Sequence, residues 1–143
     1  MGNPSVVFPD ATAVSITYVK AKLTAVGSAA LVKPRRPSNW NGANPAELVT
    51  IHRSGGVRMN LVADEAQLTI SSYAPTEEEA HDLAQYVRAF LLGMTGHTAS
   101  GTTVYRVQEF SGPALLPDPT ADCPRYFQQM SVAMRGTSIP VSD

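Results

Sequence analysis

The stretch P-T-E-E-E-A-H-D-L-A-Q-Y-V-R-A-F-L-L-G-M-T-G, residues 75–96, decides much of the fold because it predicts an amphipathic helix with both ends marked. Thr76 can cap the first turn and Glu79 can reach back to it, which is the pattern of a capping box. Gly96 is the predicted end of the helix. Apolar residues recur at three- and four-residue spacing: Ala80, Leu83, Ala84, Val87, Phe90, Leu91 and Met94. Such a face needs an apolar sheet to cover.

A pair of strands precedes this helix. Residues 48–53 predict a strand, residues 54–56 (Ser-Gly-Gly) predict the turn after it, and residues 57–73 predict the return strand. In the return strand, apolar and polar residues alternate with the period of a half-buried strand, the apolar ones being Ala66, Leu68 and Ile70.

A second pair of strands follows the helix. Residues 103–110 predict a third strand, with Tyr105 and Val107 on one face. Residues 126–135 predict a fourth strand, whose shared face carries Tyr126, Met130, Val132 and Met134. Because hairpins join the strands within each pair, we expect them to pair antiparallel.

Another helix is predicted near the start of the chain. Asp10 can cap a helix over residues 11–26, and Gly27 can end it. The β-branched residues within 13–19 lower the helix propensity, so a strand competes there. The end signals and the Lys20–Leu23 continuation favour the helix.

The resulting element order is α-β-β-α-β-β, which predicts an α+β fold with a four-stranded, mainly antiparallel sheet and two helices packed on one face. A chain of 143 residues is expected to form one domain, residues 1–143. Within it we expect an N-terminal arm, two long loops and a C-terminal tail, at residues 1–9, 28–46, 112–124 and 137–143.

Composition excludes several classes of protein. Apolar residues make up 43% of the chain and charged residues 16%, with a formal net charge of −1, so an electrostatic attraction to bare duplex DNA is not indicated. Cys123 is the single cysteine, which excludes an internal disulfide and a cysteine-based metal cluster. We find no membrane-spanning segment and no secretory signal, and we expect no membrane partner.

No catalytic or metal-binding constellation is found in the sequence. His52, His81 and His97 lie at no metal-ligand spacing, and no phosphate-binding or nucleophile-elbow motif occurs. His81 and Asp82 are assigned to the helix surface, and Cys123 has no base beside it. We therefore expect no enzyme activity, no cofactor and no bound metal.

Two loops carry residues typical of binding surfaces. The first contains Arg35 and Arg36, beside Lys33, and the only tryptophan, Trp40. Arginine and tryptophan are enriched at binding hot spots, and the basic residues could also touch phosphate. The alternative is a solvated loop with Trp40 folded back on the core.

The second loop contains Leu115, Leu116, Pro117 and Asp118 in the stretch G-P-A-L-L-P-D-P. Exposed leucines on a proline-stiffened loop tend to mark a protein contact. The alternative is a loop that tucks its leucines under the sheet. Together with Arg35, Arg36 and Trp40, these residues are our candidate interface.

Three stretches together resemble one protein family. They are N-P-S-V-V-F-P-D-A-T-A-V (residues 3–14), E-E-A-H-D-L-A-Q (78–85) and T-V-Y-R-V-Q-E-F-S-G-P-A-L-L-P-D-P (103–119), the last followed by the fourth strand and R-G-T (135–137). The chain resembles the tail terminator, or tail completion, proteins of long-tailed phages that infect actinobacteria, the mycobacteriophage type. Residues 30–46 are the portion least like that family.

The resemblance implies a structural protein at the head-proximal end of the virion tail, assembled in the host cytoplasm. Six subunits would form a ring that caps the tail tube, stops its growth and meets the connector of the head. The implied partners are further copies of the chain, the major tail tube protein and a head–tail connector or head-closure protein. DNA would pass through the hole without sequence-specific binding.

Other functions remain open from the sequence. The nearest is another connector component, such as a head-closure or adaptor protein. A ferredoxin-like ligand-binding or enzymatic module would need convergent polar groups that the sequence does not offer. A nucleic-acid-binding module would need basic residues with stacking aromatics, and only Arg35, Arg36 and Trp40 suggest one.

Overall fold

The computed structural model describes residues 5–60 and 62–138 of the chain. The helices are α1 (Ala11–Ala25) and α2 (Glu77–Leu92). In chain order, the strands are β1 (Val6–Val7), β2 (Leu31–Lys33), β3 (Leu48–Arg58), β4 (Ala63–Tyr73), β5 (Thr98–Ala99), β6 (Thr102–Leu115), β7 (Arg125–Arg135) and β8 (Thr137–Ser138).

Six strands form one mixed sheet in the order β2-β3-β4-β7-β6-β5, and β1 pairs with β8 in a separate two-stranded sheet. β2 runs parallel to β3, and the other neighbours run antiparallel. The class is α+β as expected, but the predicted four-stranded sheet is wrong. The four predicted strands form its centre, and the edge strands of three and two residues are too short to give a hydrophobic period.

Both predicted helices are present, and both N-caps are confirmed. The Glu79 amide donates to Thr76 Oγ1 at 3.1 Å, and the Ala13 amide donates to Asp10 Oδ1 at 3.1 Å. The competing strand at residues 13–19 is therefore excluded. Helix α2 ends at Leu92, four residues before the predicted stop at Gly96.

The helices contact each other and pack on one face of the sheet. Their buried side chains meet alternate residues of the strands in one continuous core. Helix α2 contributes Leu83, Val87 and Leu91, which are at most 3% exposed. From the sheet come Val49, Ile51, Ala66, Leu68, Ile70, Val104, Val107, Met130, Val132 and Met134. We call the opposite face of the sheet, which carries no helix, the helix-free face.

The stretch Ser54-Gly55-Gly56 is not the predicted turn. Strand β3 continues through it, with a break in register between Arg53 and Gly55 that marks a β-bulge. Gly56 has φ +103°, which explains why the sequence carries glycine here. The hairpin of β3 and β4 therefore extends beyond residues 54–56, and the chain reverses between Arg58 and Ala63.

Strand β6 is also longer and less regular than predicted. It runs to Leu115, so the second long loop is shortened to residues 116–124. A register shift between Val104 and Arg106 places Val104 and Val107 in the core, while Tyr105 is exposed. The expectation that Tyr105 and Val107 share a face is therefore wrong, because a bulge breaks the strand period.

Three segments predicted to be irregular contain short strands. Strand β2 lies within the predicted loop 28–46, and β1 lies within the predicted arm 1–9. Strand β8 lies within the predicted tail 137–143 and pairs with β1. Residues 1–4 of the arm and 139–143 of the tail lie outside the described residues.

Candidate assembly surface

Two segments meet over the helix-free face, at the end of the sheet where β3 begins and β4 ends. They are residues 34–47, between β2 and β3, and residues 116–124, between β6 and β7. Beneath them lies an apolar cluster of Trp40, Leu48 and Tyr73, which we call the second core. Leu48 and Tyr73 lie opposite each other in the ladder between β3 and β4. The residues next to them in each strand face the helices, so Leu48 and Tyr73 point to the helix-free face. Leu31, Ala121 and Cys123 pack against this cluster.

Trp40 anchors the first segment to the subunit. Its ring packs edge-on against Tyr73 with 5.7 Å between the ring centroids. Its indole Nε1 donates a hydrogen bond to the carbonyl oxygen of Pro45 at 2.9 Å. With 8% of its surface exposed, Trp40 supports the loop from beneath.

Hydrogen bonds also lock the two segments together, in a group of residues that we call the loop clasp: Arg36, Tyr73, Asp118 and Thr120. Asp118 Oδ1 accepts from the Thr120 amide at 2.9 Å and from its hydroxyl at 2.7 Å, and Oδ2 accepts from the Tyr73 hydroxyl at 2.9 Å. Arg36 donates to the Thr120 carbonyl oxygen at 2.9 Å and to its Oγ1 at 3.1 Å. The clasp joins residues 84 positions apart.

The clasp shifts the pKa values of its acidic groups. Partial burial alone would raise the pKa of Asp118, but hydrogen bonds from Thr120 and Tyr73 and the nearby Arg125 charge lower it to about 2. Burial, followed by the hydrogen bond to Asp118, raises the pKa of the Tyr73 hydroxyl. Burial also raises the pKa of the Cys123 thiol, which disfavours the reactive thiolate.

We expect Asp118→Asn to lower the free energy of unfolding by about 1 kcal/mol at pH 7, because charge-assisted hydrogen bonds become weaker neutral ones. The folded pKa of Asp118, about 2, lies below the unfolded value near 3.9. Its stabilising effect is therefore complete above about pH 5 and is lost as the pH falls toward 2. Urea unfolding between pH 3 and pH 7 measures this.

Asp122→Asn is the matched control for that experiment, because Asp122 is exposed and lies in the same segment. This variant should differ from the wild type by less than about 0.5 kcal/mol at every pH. An Asp118→Asn effect that is equally large at pH 3 and pH 7 would contradict the role given to the clasp.

A comparison with protein families places the chain. The family model described as "Phage tail termination protein" matches residues 7–134, which include both helices, β3, β4, β6 and all but the last residue of β7. The chain belongs to the phage tail termination protein family. A search of curated proteins found no match. Membership makes the chain a structural protein of the phage tail, so the tail-terminator resemblance holds at the level of the family and of the virion tail.

The candidate interface of this tail termination protein divides into exposed and anchored residues. Arg35, Leu115, Leu116 and Pro117 are exposed, so they are available to a partner. Trp40 is buried, and Arg36 and Asp118 are half-buried within the loop clasp. The structure thus brings the two predicted loops together, and contact between these residues and a neighbouring subunit stays a prediction.

Sequence reasoning missed a second exposed apolar region, at the other end of the long strands. Val57, Met59 and Val62 are 71%, 41% and 45% exposed around the reversal between β3 and β4. Tyr105 lines a cavity of about 320 Å³ with Met59 and Val62. The sequence does carry an apolar residue on each side of Asn60. Because the turn is predicted at residues 54–56, these residues are assigned to the return strand and not to an exposed turn.

Bulges on β6 add a further exposed aromatic residue. The register shifts between Glu109 and Ser111, and Phe110 lies at this break with 66% of its surface exposed. Just before the break, Glu109 forms an ion pair with Arg88 of α2, with 2.5 Å between Oε1 and Nε. This ion pair holds β6 against the helix. This chain thus exposes apolar side chains along β6 as well as at both ends of the long strands.

The titratable groups of residues 5–60 and 62–138 form no cluster suited to metal binding. Within these ranges, no group of three or more His, Cys, Asp or Glu side chains could hold a metal ion. His52, His81 and His97 are all exposed, and His81 stacks edge-on with Tyr126 at 5.4 Å. Nor is any helix of the described chain long and apolar enough to cross a membrane.

Proposed function

We propose that this protein is the tail terminator of a long-tailed phage that infects actinobacteria. In this proposal, six copies form a ring at the head-proximal end of the tail. The ring stops growth of the tube made by the major tail protein and joins the tail to the head connector. The observation that carries the proposal is the match of the phage tail termination family over residues 7–134.

The distribution of exposed apolar residues supports a subunit with partners at both ends. Val57, Met59 and Val62 lie at one end of the long strands, and Leu115 and Leu116 lie toward the other. Strands of 11 residues span about 35 Å, so these regions are far apart. One region would meet the tail tube and the other the head connector.

The proposed ring leaves a central hole through which DNA passes after the tail joins the head. The chain carries a formal net charge of −1, which suits passage better than capture. We therefore propose that DNA is a transient neighbour and not a sequence-specific ligand. The ring would assemble in the host cytoplasm, where the tail tube is built.

Deleting the gene from the phage tests the proposed function. We expect tails of irregular, excessive length and heads without tails in electron micrographs, because nothing stops polymerisation of the tube. Supplying the protein from a plasmid should restore tails of uniform length. Tails of normal length beside empty, leaking heads would instead indicate a head-closure protein and would overturn the proposal.

Replacing Leu115 and Leu116 by serine tests the proposed contact at the second loop. Both side chains are exposed, so the free energy of unfolding should change by less than about 0.5 kcal/mol. We expect complementation of the deleted gene to fall by about tenfold or more, because apolar anchors dominate binding energy at interfaces. Titres and tail lengths are the measurements.

Val26→Ser serves as the control for that variant, because Val26 is the C-cap residue of α1, is 53% exposed and lies outside residues 112–124. It should complement as well as the wild type. Serine at 115 and 116 also leaves the Asp118 carboxylate in place, so the loop clasp is retained. Normal titre and tail length in the Leu115/Leu116 variant would exclude these leucines from the interface.

A further inference from the structure

The segment of residues 34–47 lines an open cavity with a volume of about 580 Å³ beside strand β2. We call it the loop pocket. Its apolar lining comes from Leu31, Pro37, Trp40 and Pro45, and Lys33 and Arg35 contribute the charged part of the lining. The pocket therefore combines apolar lining residues with two positive charges, a combination that accepts a carboxylate on a short apolar stem.

Neither basic residue of the loop pocket has an acidic partner within the described residues. The ion pairs found there join Arg53 to Asp64, His81 to Asp82, Arg88 to Glu109 and Arg106 to Glu65. The third basic residue of the segment, Arg36, is already held by Thr120. Lys33 and Arg35 are exposed, so both charges are available to an incoming group.

The complementary charges lie on the same chain, at the first turn of α2. Glu77 and Glu78 are both exposed, and they take no part in the ion pairs of the described chain. Glu79 extends the same acidic turn, but its backbone is committed to the Thr76 cap. The turn is rigid because the capped helix fixes its backbone, so little conformational entropy is lost on binding.

The loop pocket and the acidic turn lie on opposite faces of one sheet. Lys33 alternates with Val32, which is part of the core beneath the helices, so Lys33 points to the helix-free face. Helix α2 packs on the other face. The two features lie toward the same end, since α2 follows Tyr73 and the loop pocket adjoins the second core.

From this placement we propose that the loop pocket of one copy receives the acidic turn of a second copy, with Lys33 and Arg35 pairing with Glu77 and Glu78. Complementary patches on opposite faces give a head-to-tail contact, in which each copy uses its pocket on one neighbour and its turn on the other. Such contacts close into a ring when the rotation between copies allows it. The inference rests on the proposed self-assembly and adds the residues that direct it.

Charge reversal on either side tests the pairing in the full-length protein. One variant carries Lys33→Glu and Arg35→Glu, and the other carries Glu77→Lys and Glu78→Lys. In each, pocket and turn have the same charge, so the protein concentration needed for assembly should rise by about tenfold or more. Light scattering and native mass spectrometry over a concentration series measure this.

Mixing the two variants is the decisive step. In an equimolar mixture, each reversed pocket can meet a reversed turn, and each native pocket a native turn, so assembly should return to within about twofold of the wild type. The restored assembly should alternate the two variants and contain an even number of subunits. Restoration also proves that both variants are folded, because an unfolded variant could not rescue the other.

A matched control carries Lys20→Glu and Lys22→Glu, which reverses two exposed charges on helix α1. It should assemble like the wild type. If the wild type assembles and neither reversed variant differs from it, the pairing is overturned while the proposed ring stands. If both variants fail alone and in the mixture, the pairing is also overturned.

If the proposed ring itself is wrong, the wild-type protein gives a different result. A wild-type protein that stays monomeric at all concentrations, including in the presence of purified tail tubes, would overturn the proposed ring and the pairing with it. Raising the salt concentration supplies a second readout. Assembly of the wild type should weaken with salt, since exposed ion pairs are screened over about 10 Å at 0.1 M.

Discussion

Leu83→Asp should lower the free energy of unfolding by about 4 kcal/mol or more, enough to leave much of the protein unfolded. Leu83 lies on the buried face of α2 with 3% of its surface exposed. The change removes apolar contacts with the core and places a carboxylate where no counter-charge is available. Chemical denaturation followed by circular dichroism measures the loss.

Leu92→Asp is the matched control on the same helix, because Leu92 is 37% exposed. Its cost should stay near 1 kcal/mol, mostly from a negative charge at the negative end of the helix dipole. Equal losses in the two variants would show that α2 does not face the core as described.

Gly56→Ala should cost about 3 kcal/mol or unpair the hairpin of β3 and β4 locally. Gly56 has φ +103°, a conformation that residues with a side chain rarely adopt. An added Cβ would overlap the carbonyl oxygen of Glu65 and lie 2.8 Å from the amide nitrogen of Gln67. Both are backbone atoms of the paired strand, so neither can move aside without breaking the ladder. Thermal unfolding and hydrogen exchange at residues 55–67 report the effect.

Gly55→Ala is the matched control. It tests whether the loss of stability comes from the conformation of Gly56 or from any substitution within the bulge. A Cβ at Gly55 would meet no atom within 4 Å, so this variant should change the free energy of unfolding by less than about 1 kcal/mol. If the two alanine variants were equally stable, the strained conformation at Gly56 would not be required by the fold.

Local signals predicted the helices well. Each helix start has a capping residue whose side chain accepts a bond from an amide three residues on, and such bonds depend on neighbours in sequence alone. The apolar spacing of α2 also placed Leu83, Val87 and Leu91 in the core correctly. Where a residue interacts with partners close to it in the chain, the sequence alone predicts the structure.

The short strands could not be predicted in the same way. β2 has three residues, and it becomes a strand because β3 offers it a free parallel edge. β1 and β8 pair only with each other, across most of the chain. Two or three residues carry no detectable period, so these strands depend on tertiary contacts.

The bulges account for the remaining errors in the sheet. The pair of glycines at 55–56 has the composition of a turn, yet here it lets β3 bend within the ladder. The bulge at Tyr105 shifts the strand period by one residue and exposes a side chain that alternation placed on the same face as Val107. An inserted residue changes the face of the residues that follow it until the next register shift, which on β6 lies between Glu109 and Ser111.

The candidate site was predictable in part. Composition alone singled out both proline-rich segments, and the structure places them side by side. That Arg36 holds Thr120, and that Tyr73 holds Asp118, could not be predicted because these pairs are 84 and 45 residues apart. For the same reason the sequence could not show that Arg36 is hydrogen-bonded to Thr120, whereas Lys33 and Arg35 take no part in the ion pairs of the described residues.

The loop clasp also bears on the order of events when the chain is made. Its parts come from three regions of the chain, and β4 cannot pair with β7 until the last quarter of the protein has left the ribosome. Contacts between distant residues form late, after the costly closure of long loops. A nascent or truncated chain therefore cannot display the finished surface. The two segments can therefore come together only after residues 116–124 have been synthesised.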